Sequence, residues 1–202
     1  LNQEVYYSID LTAATDRMPI DFIELVLRGK LPQSYLSAWK DIMVGYPFET
    51  PDGKMISYAV GNPMGAYSSW SSFTIAHHYM VYYCCRKLNL DWKTLPYVIL
   101  GDDIVICNKA VAELYLDILK TLGMEASPMK THISNHFYEF AKRYSYKGVE
   151  ISPFPISALK ESLSRSYLMV NLLLELESRG FTGVNGIPAT VSSAYGILKN
   201  MP

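Results

Sequence analysis

The sequence contains little cysteine and no excess of charge of either sign, and both features restrict what the chain can be. Only three cysteines occur among 202 residues. Two of them are adjacent, so no disulfide framework is expected and a reducing compartment suits the chain. Eighteen basic residues are balanced by 19 acidic ones, which gives a net charge of −1. A broadly basic surface for nucleic-acid binding is therefore not expected.

The sequence also lacks an uninterrupted apolar run of the length that crosses a membrane. The most apolar windows are residues 66–85 and 166–177. Polar side chains interrupt them at His77, His78, Asn171 and Glu175. No membrane span is predicted, because a spanning helix needs about 20 predominantly apolar residues. Repeats and low-complexity linkers are missing too, and half of the residues are apolar, so we expect one domain or one domain with an appendage.

The stretch YVILGDDIVIC, residues 97–107, places two carboxylates inside an apolar run. Its two arms are rich in β-branched residues, and Gly101 at their junction provides the backbone freedom of a tight turn, so the stretch predicts a hairpin. Asp102 and Asp103 would lie at its tip, where two anions are costly unless something neutralises them. Mg²⁺ binds a few carboxylates together with water and substrate phosphates. At this point both a metal site and a solvent-exposed turn are open interpretations.

A second acidic segment lies near the start of the chain. Residues 4–10, EVYYSID, predict a strand that ends on Asp10, and Asp16 follows six positions later. The hairpin carboxylates are far away in sequence, but adjacent strands would bring the two segments together. No lysine or arginine lies within five positions of Asp10, Asp102 or Asp103. Two metal ions roughly 4 Å apart, bridged by such carboxylates, activate a 3′-hydroxyl and stabilise a departing pyrophosphate.

Apolar residues at helical spacing predict the remaining elements. Helices are expected over residues 20–28, 34–43, 68–88, 110–122, 157–179 and 188–199. The inward stripe of the longest helix is predicted to contain Trp70, Phe73, His77, Val81, Cys84 and Leu88. Asn108 is predicted to cap the fourth helix, with Val111, Leu114, Ile118 and Leu122 inward. Strand pairs are predicted near residues 44–60, around Pro51-Asp52-Gly53, and near Gly148.

Five segments occur in the order and at the spacing of polymerase motifs A to E. They are SIDLTAATD, GNPMGAYSS, YVILGDD, GMEASPMK and FAKRYSYKGVEISP. Through these motifs the sequence resembles the RNA-dependent RNA polymerases of mitoviruses and, more distantly, those of narnaviruses and RNA phages. The resemblance implies an α+β fold, a right-hand polymerase palm with an antiparallel sheet backed by helices. The palm would cover residues 1–156, including the inserted hairpin near 44–60, and a helical start of the thumb would cover 157–202.

The resemblance also implies roles for the charged residues. Asp10, Asp102 and Asp103 are expected to hold two Mg²⁺ or Mn²⁺ ions and, with Lys130, to form the catalytic set. Lys130 matches the motif D lysine that acts as general acid toward the departing pyrophosphate, and the alternative is a surface lysine that ends a strand. Asp16 matches the motif A residue that selects a ribose 2′-hydroxyl, and the alternative is a helix N-cap.

Motif B departs from the wider polymerase pattern, in which a serine or threonine follows a glycine and an asparagine comes a turn later. Here Gly61 or Gly65 is the candidate glycine, and Ser68 or Ser69 is the candidate hydroxyl. No asparagine follows at the expected place. Gly65, Ser68 and Ser69 are therefore predicted, with Asp16, to contact the nucleotide or its ribose.

Motif E contains three basic residues, Lys142, Arg143 and Lys147. The resemblance implies that they contact the RNA backbone, and the alternative is a solvated strand face. Partners implied by the resemblance are an RNA template, a product strand and ribonucleoside triphosphates, and no protein partner is predicted. The implied location is the host mitochondrion.

The function implied by the resemblance is transfer of a nucleoside monophosphate to an RNA 3′-end. Family members have a basic motif F upstream of motif A, and this chain starts at Leu1. We therefore expect a partial sequence that is inactive alone. Three alternatives stay open: a non-catalytic viral relic in a host genome, a reverse transcriptase or DNA polymerase palm, and an unrelated α+β binding domain. Asp16 counts against reverse transcriptase, because those enzymes typically have a bulky side chain there.

Overall fold

The computed structural model describes residues 3–162 and 165–181 and the single positions 189, 192, 193 and 196. The chain divides into an N-terminal unit, residues 1–141, and a C-terminal unit, residues 142–202. The predicted boundary between palm and thumb after residue 156 stays a prediction. The N-terminal unit contains β1 (Tyr6–Ile9), β2 (Leu11–Thr12), α1 (Ala14–Arg17), α2 (Ile20–Leu27), α3 (Gln33–Val44), β3 (Phe48–Glu49), β4 (Met55–Ile56), α4 (Ser69–Lys87), β5 (Tyr97–Leu100), β6 (Asp103–Ile106), α5 (Lys109–Thr121), β7 (Glu125–Ala126), β8 (His132–Ser134) and β9 (Phe137–Phe140). The C-terminal unit contains β10 (Arg143–Tyr146), β11 (Val149–Glu150), α6 (Ile156–Ser162) and α7 (Ser166–Ser178).

A four-stranded antiparallel sheet in the order β5-β6-β1-β8 lies at the centre of the N-terminal unit. The predicted hairpin is confirmed, because β5 and β6 pair with Leu100 opposite Asp103. Gly101 takes a φ of +60° in the turn, a conformation that glycine adopts without strain. The predicted strand before Asp10 is also confirmed as β1, which pairs with β6 on one side and β8 on the other.

The two faces of this sheet are covered by different elements. Ile9 of β1 and Ile104 of β6 are buried in the main core with helical residues. Tyr6 and Val105 alternate to the other face, as period-two side chains must. They form a second, smaller core with partly buried residues, among which is Phe140 of β9. The α+β architecture predicted from the sequence is therefore confirmed, with helices on one face of an antiparallel sheet.

The helices around the sheet agree with their predicted stripes in part. Phe73, His77, Val81 and Cys84 of α4 are buried, as predicted. In α5 the buried face is instead centred on Val111, Tyr115 and Leu119, so the predicted stripe of Leu114, Ile118 and Leu122 lies at its edge. Asn108 does cap α5, because its side chain accepts a hydrogen bond from the backbone N–H of Val111. Every described helix is too short or too polar to cross a bilayer.

Two other predictions need correction. The single helix predicted over 157–179 is two helices, α6 and α7; Ser157 lies inside α6, and Arg165 occupies the N-cap position of α7. The hairpin near 44–60 exists, but each of its strands, β3 and β4, has only two residues and both are exposed. The strand pair near Gly148 is confirmed as β10 and β11. The helix predicted over 188–199 lies outside the described residues apart from four single positions.

The cap of α5 gives a direct test of the local structure. Replacing Asn108 with alanine removes the acceptor for the Val111 N–H, which lies 3.1 Å from Asn108 Oδ1. We expect the free energy of unfolding, measured by urea denaturation, to fall by about 1 kcal/mol. Lys109→Ala is the matched control and should change it by less than about 0.5 kcal/mol, because Lys109 is exposed. An equal loss in both variants would contradict a specific cap.

Candidate active site

The register of two neighbouring strands brings the two acidic segments together. β1 and β6 are antiparallel, with Ile9 opposite Ile104. Continuing this register by one residue places Asp10 opposite Asp103, at a Cα separation of about 5 Å. Both carboxylates then lie on the sheet face away from the helices, because the isoleucines next to them face the main core. The prediction that adjacent strands unite the two segments is confirmed.

Lys130 lies beside Asp10, although the two residues are distant in sequence. β2 pairs with β7, and the Ser127 N–H donates to the Asp10 carbonyl oxygen at 2.8 Å. The turn that follows ends at Lys130, whose Nζ lies 3.3 and 3.4 Å from the carboxylate oxygens of Asp10. The lysine side chain is 65% exposed, so the pair contributes at most about 1 kcal/mol. A ligand that binds Asp10 can therefore displace Lys130 at little cost.

A cavity of about 540 Å³ lies between motif A and motif B. Asp102 lines it, as do three of the residues predicted to contact the nucleotide: Asp16, Gly65 and Ser69. Asp16 is exposed within α1, whose N-cap position is occupied by Ala13, so the alternative of an N-cap for Asp16 is wrong. The geometry leaves the Asp16 carboxylate on a cavity wall that also contains the hairpin carboxylate.

The two candidate hydroxyls of motif B face different surroundings. Ser69 lines the cavity, and its hydroxyl donates to Oδ1 of the buried Asn62 at 2.6 Å. Ser68 does not line it; its hydroxyl accepts a hydrogen bond from Trp39 Nε1 at 2.7 Å and so faces α3. Ser69 therefore lines the cavity and Ser68 packs against α3, while the functional role of each stays a prediction.

The two candidate glycines of motif B also do different things. Gly65 has a φ of +85°, and a Cβ added there would meet no atom within 4 Å, so its requirement is conformational. A Cβ on Gly61 would lie 2.1 Å from the carbonyl oxygen of Thr15. The next residue, Asn62, donates its N–H to that same oxygen at 3.0 Å. The lack of a side chain at Gly61 therefore allows the motif B loop to pack directly against the backbone of α1, next to Asp16.

Trp70 and His77 of α4 both contact the turn that contains Asp102. A Cβ on Gly101 would lie 2.0 Å from the Cη2 atom of Trp70, so the indole ring covers this glycine. Trp70 is 54% exposed, and its predicted inward position is wrong. His77 is fully buried, with Nδ1 2.8 Å from the Gly101 carbonyl oxygen and Nε2 2.6 Å from the Tyr115 hydroxyl oxygen.

These contacts determine the protonation of His77. A carbonyl oxygen can only accept, so Nδ1 has the proton and donates to Gly101, and Nε2 then accepts from the Tyr115 hydroxyl. Burial, above all, lowers the pKa of His77 to about 4, so the ring is neutral at pH 7. The sequence predicts His77 to lie in the inward stripe of its helix and indicates no contact with the hairpin. The feature of the sequence that could have drawn attention to His77 is a titratable side chain at a position predicted to be buried.

The three basic residues of motif E lie in the C-terminal unit. Arg143 is paired with Glu150 across the β10–β11 hairpin, with Nε 3.0 Å from Oε1 and a second contact from the guanidinium to Oε2. The hydrogen bonds from Arg143 lower the pKa of Glu150 to about 2. Lys147 lies over the ring of the neighbouring Tyr146, and Lys142 is exposed. Arg143 is thus engaged within its hairpin, and RNA contact by all three stays a prediction.

The acidic residues suit a metal ion that is bound partly by the protein and partly by a substrate. Among the described residues, no three His, Cys, Asp or Glu side chains form a group that would hold a metal ion alone. Mg²⁺ does not need such a cage, because it is commonly bound through one or two carboxylates, waters and substrate phosphates. Asp10 and Asp103 on facing strands, with Asp102 in the adjoining turn, are carboxylates of the kind that Mg²⁺ binds, and their joint binding of an ion stays a prediction.

Removing Lys130 should strengthen metal binding. The lysine competes with a cation for Asp10, so we expect Lys130→Gln to tighten Mn²⁺ binding by up to about fivefold, the equivalent of the roughly 1 kcal/mol of an exposed ion pair. Electron paramagnetic resonance of free Mn²⁺ measures this. Lys120→Gln, at an exposed position of α5, is the control and should leave the affinity unchanged. Weaker binding by the Lys130 variant would contradict the competition.

The neutral His77 should make the fold sensitive to acid. Between pH 6.5 and about 4, His77 binds a proton in the unfolded chain but not in the folded chain. Its contribution to the free energy of unfolding is therefore fully present above pH 6.5 and is lost as the pH falls toward 4. We expect a loss of about 3 kcal/mol in the free energy of unfolding from pH 7 to pH 4 that His77→Phe does not show. The same pH dependence in both proteins would refute this assignment.

Comparison with known proteins agrees with the geometry. The family described as mitovirus RNA-dependent RNA polymerase matches residues 1–199. The RNA-directed RNA polymerase of Cryphonectria parasitica mitovirus 1 is 41% identical over 68% of this chain and 17% of its own length. An uncharacterized mitochondrial protein of Arabidopsis thaliana is 32% identical over 81% of this chain and 67% of its own length.

Among solved structures, the RNA-dependent RNA polymerase of a human picorbirnavirus, in an insertion-loop deletion mutant, has a similar fold. It superposes with a TM-score of 0.61 at 13% identity, over 84% of this chain and 39% of that one. At this identity the likeness concerns the fold, and it agrees with the predicted palm. The family match covers almost the entire sequence. The chain therefore belongs to the mitovirus RNA-dependent RNA polymerase family.

Proposed function

We propose that these residues form the catalytic palm of an RNA-directed RNA polymerase, which adds nucleoside monophosphates to an RNA 3′-end under the direction of an RNA template. The observation that supports this most is the facing of Asp10 and Asp103 across two paired strands, with Asp102 on the wall of a cavity. Because the chain spans 17% of the mitovirus polymerase it matches, the activity is proposed for the protein to which the palm belongs.

Each acidic residue then has a distinct part in the reaction. Two Mg²⁺ or Mn²⁺ ions held by Asp10, Asp102 and Asp103 would supply activation of the 3′-hydroxyl and charge stabilisation of the pyrophosphate. Asp16, on the cavity wall, offers an acceptor to the 2′-hydroxyl of the incoming ribonucleotide. Gly65 and Ser69 line the same wall and would contact the sugar or the template base.

Lys130 is proposed as the general acid of the same step. The 3′-hydroxyl loses its proton to solvent and its oxygen attacks the α-phosphorus. The bond from that phosphorus to the bridging oxygen breaks, and the lysine ammonium donates a proton to the departing pyrophosphate. Its exposed ammonium rests on Asp10 in the structure, within reach of the reaction site and weakly held. This position supports a mobile acid better than a fixed structural lysine.

The partners and location follow from the same proposal. An RNA template, an RNA product strand and ribonucleoside triphosphates are the substrates that the reaction requires, and the protein is proposed to act in the host mitochondrion. The similarity to a mitovirus polymerase and to a plant mitochondrial protein supports this location. The balanced net charge indicates that the palm contributes little of the general electrostatic attraction to RNA.

Substitution of one hairpin carboxylate tests the proposal. In the polymerase that contains this palm, Asp102→Asn should reduce RNA primer extension to background, because the amide lacks the charge that binds the metal. Asp117→Asn, an exposed residue of α5, is the matched control and should retain full activity. Extension by Asp102→Asn at a rate near that of the control would remove Asp102 as a metal ligand.

The same assay decides the alternatives. Ribonucleotide incorporation that exceeds deoxyribonucleotide incorporation supports RNA synthesis, and the reverse would favour a reverse transcriptase. A folded wild-type protein that extends no primer would instead favour the non-catalytic relic. In that case the acidic residues would be inherited from an active polymerase and would no longer catalyse a reaction.

A further inference from the structure

Helix α4 supports the turn of the hairpin that contains Asp102. Trp70 and His77 are seven residues apart in α4, about two turns, so both side chains lie on the same face. Both meet the same glycine: the Trp70 ring lies against the position of a Cβ on Gly101, and His77 bonds to the Gly101 carbonyl oxygen. The helix therefore holds this turn by a packing contact and a hydrogen bond at once.

This hydrogen bond is one of two consecutive hydrogen bonds that form a fully buried chain. The Tyr115 hydroxyl of α5 donates to His77 Nε2, and His77 Nδ1 donates to Gly101. His77 and Tyr115 are completely buried, and Gly101 is buried as well. Each ring nitrogen of His77 has one partner, so the imidazole has a single tautomer and no competing contact with water. A buried chain with every group satisfied has one arrangement of low energy.

The orientation of Asp102 depends on the carbonyl oxygen of Gly101, which accepts the hydrogen bond from His77. The carbonyl group of Gly101 and the N–H and Cα of Asp102 belong to one planar peptide unit. An acceptor oxygen held at 2.8 Å therefore limits rotation of the entire unit, including the atom from which the Asp102 side chain projects. Gly101 itself imposes little limit, because glycine adopts a wide range of backbone angles. The restraint has to come from outside the turn.

We propose that His77 is a positioning residue, which holds the Gly101–Asp102 peptide in the orientation that presents the Asp102 carboxylate to a divalent cation. The inference rests on the proposed function, in which Asp102 is a metal ligand. His77 does not touch the substrate and acts only through the turn. Tyr115 is the second member of the chain, because its hydroxyl fixes the imidazole ring that donates to Gly101.

The neighbouring histidine provides a matched control in the same helix and hairpin. His78 Nδ1 lies 2.8 Å from the hydroxyl of Tyr97, a side chain of β5. This pair also joins α4 to the hairpin through a histidine, but its partner is a side chain of β5 and not the backbone of the turn. A general effect on the helix or the hairpin would appear in both pairs. An effect on metal binding should appear only in the His77 pair.

The test combines Mn²⁺ affinity with amide hydrogen exchange in the 202-residue chain. His77→Phe retains a ring but removes both hydrogen bonds, whereas the side-chain amide of His77→Asn is able to donate to Gly101. Tyr115→Phe removes only the hydroxyl. Tyr97→Phe is the control, and Asp102→Asn is the reference for loss of a ligand. Hydrogen exchange of peptides covering residues 97–107 reports the turn, and peptides from α2 report global unfolding.

We expect His77→Phe to weaken Mn²⁺ binding by about tenfold and to increase exchange in 97–107 by a similar factor, with α2 unchanged. Tyr115→Phe should show a smaller change in the same direction. His77→Asn should recover most of the affinity, and Tyr97→Phe should bind as wild type does. Tyr115→Phe and His77→Asn are milder substitutions than His77→Phe. If His77→Phe fails to fold, the Mn²⁺ affinity and hydrogen exchange of these two variants still test the positioning role.

Three different results would overturn either the positioning role or the proposed function. If Asp102→Asn weakens Mn²⁺ binding and the His77 and Tyr115 variants leave both binding and exchange in 97–107 unaltered, the positioning role is wrong and the proposed function stands. If Asp102→Asn binds Mn²⁺ as wild type does, the proposed function loses its metal ligand. A loss of affinity in Tyr97→Phe equal to that in Tyr115→Phe would also overturn the positioning role, because it would show a general effect of the hairpin.

Discussion

The antiparallel pairing of β1 with β6 is the constraint on which the rest of the site depends. Ile9 opposite Ile104 fixes which carboxylates face each other, and burial of both isoleucines under the helices fixes the face. A slip of one residue would turn every side chain of the strand to the other face and bury Asp10 in the apolar core. The hydrophobic effect thus sets the position of the charges, and the acidic cluster needs no attraction of its own to form.

Carboxylates brought this close repel each other, and the structure compensates by two separate means. Lys130 supplies a positive charge to Asp10 from a turn that β2 and β7 carry to the site. The turn that holds Asp102 is restrained mechanically by α4. The first device is exposed and easily displaced, whereas the second is buried and rigid. This difference suits a site in which a cation is exchanged while the geometry of its ligands is kept.

Local signals made much of this predictable from the sequence. Alternation and a glycine indicate the hairpin, and an asparagine indicates the start of α5. The approach of the two acidic strands was predictable, but individual side-chain contacts between distant segments were not: the Lys130–Asp10 pair joins residues far apart in sequence, and no pattern states which atom His77 faces. Ser68 and Ser69 could not be separated, because one helical residue turns the side chain by about 100° and the start of α4 was unknown to that precision. The break before α7 has neither glycine nor proline between Ser162 and Ser166 to mark it.

Anomalous diffraction from crystals of the chain soaked in Mn²⁺ and a non-hydrolysable ribonucleoside triphosphate would locate the metal ions. We expect anomalous peaks within about 2.5 Å of carboxylate oxygens of Asp10 and of the Asp102–Asp103 pair, with triphosphate oxygens completing the ligands. We also expect Lys130 Nζ to have moved away from Asp10. Metal density elsewhere on the molecule, with Asp10 still paired to Lys130, would contradict the assignment of these carboxylates as the catalytic metal site.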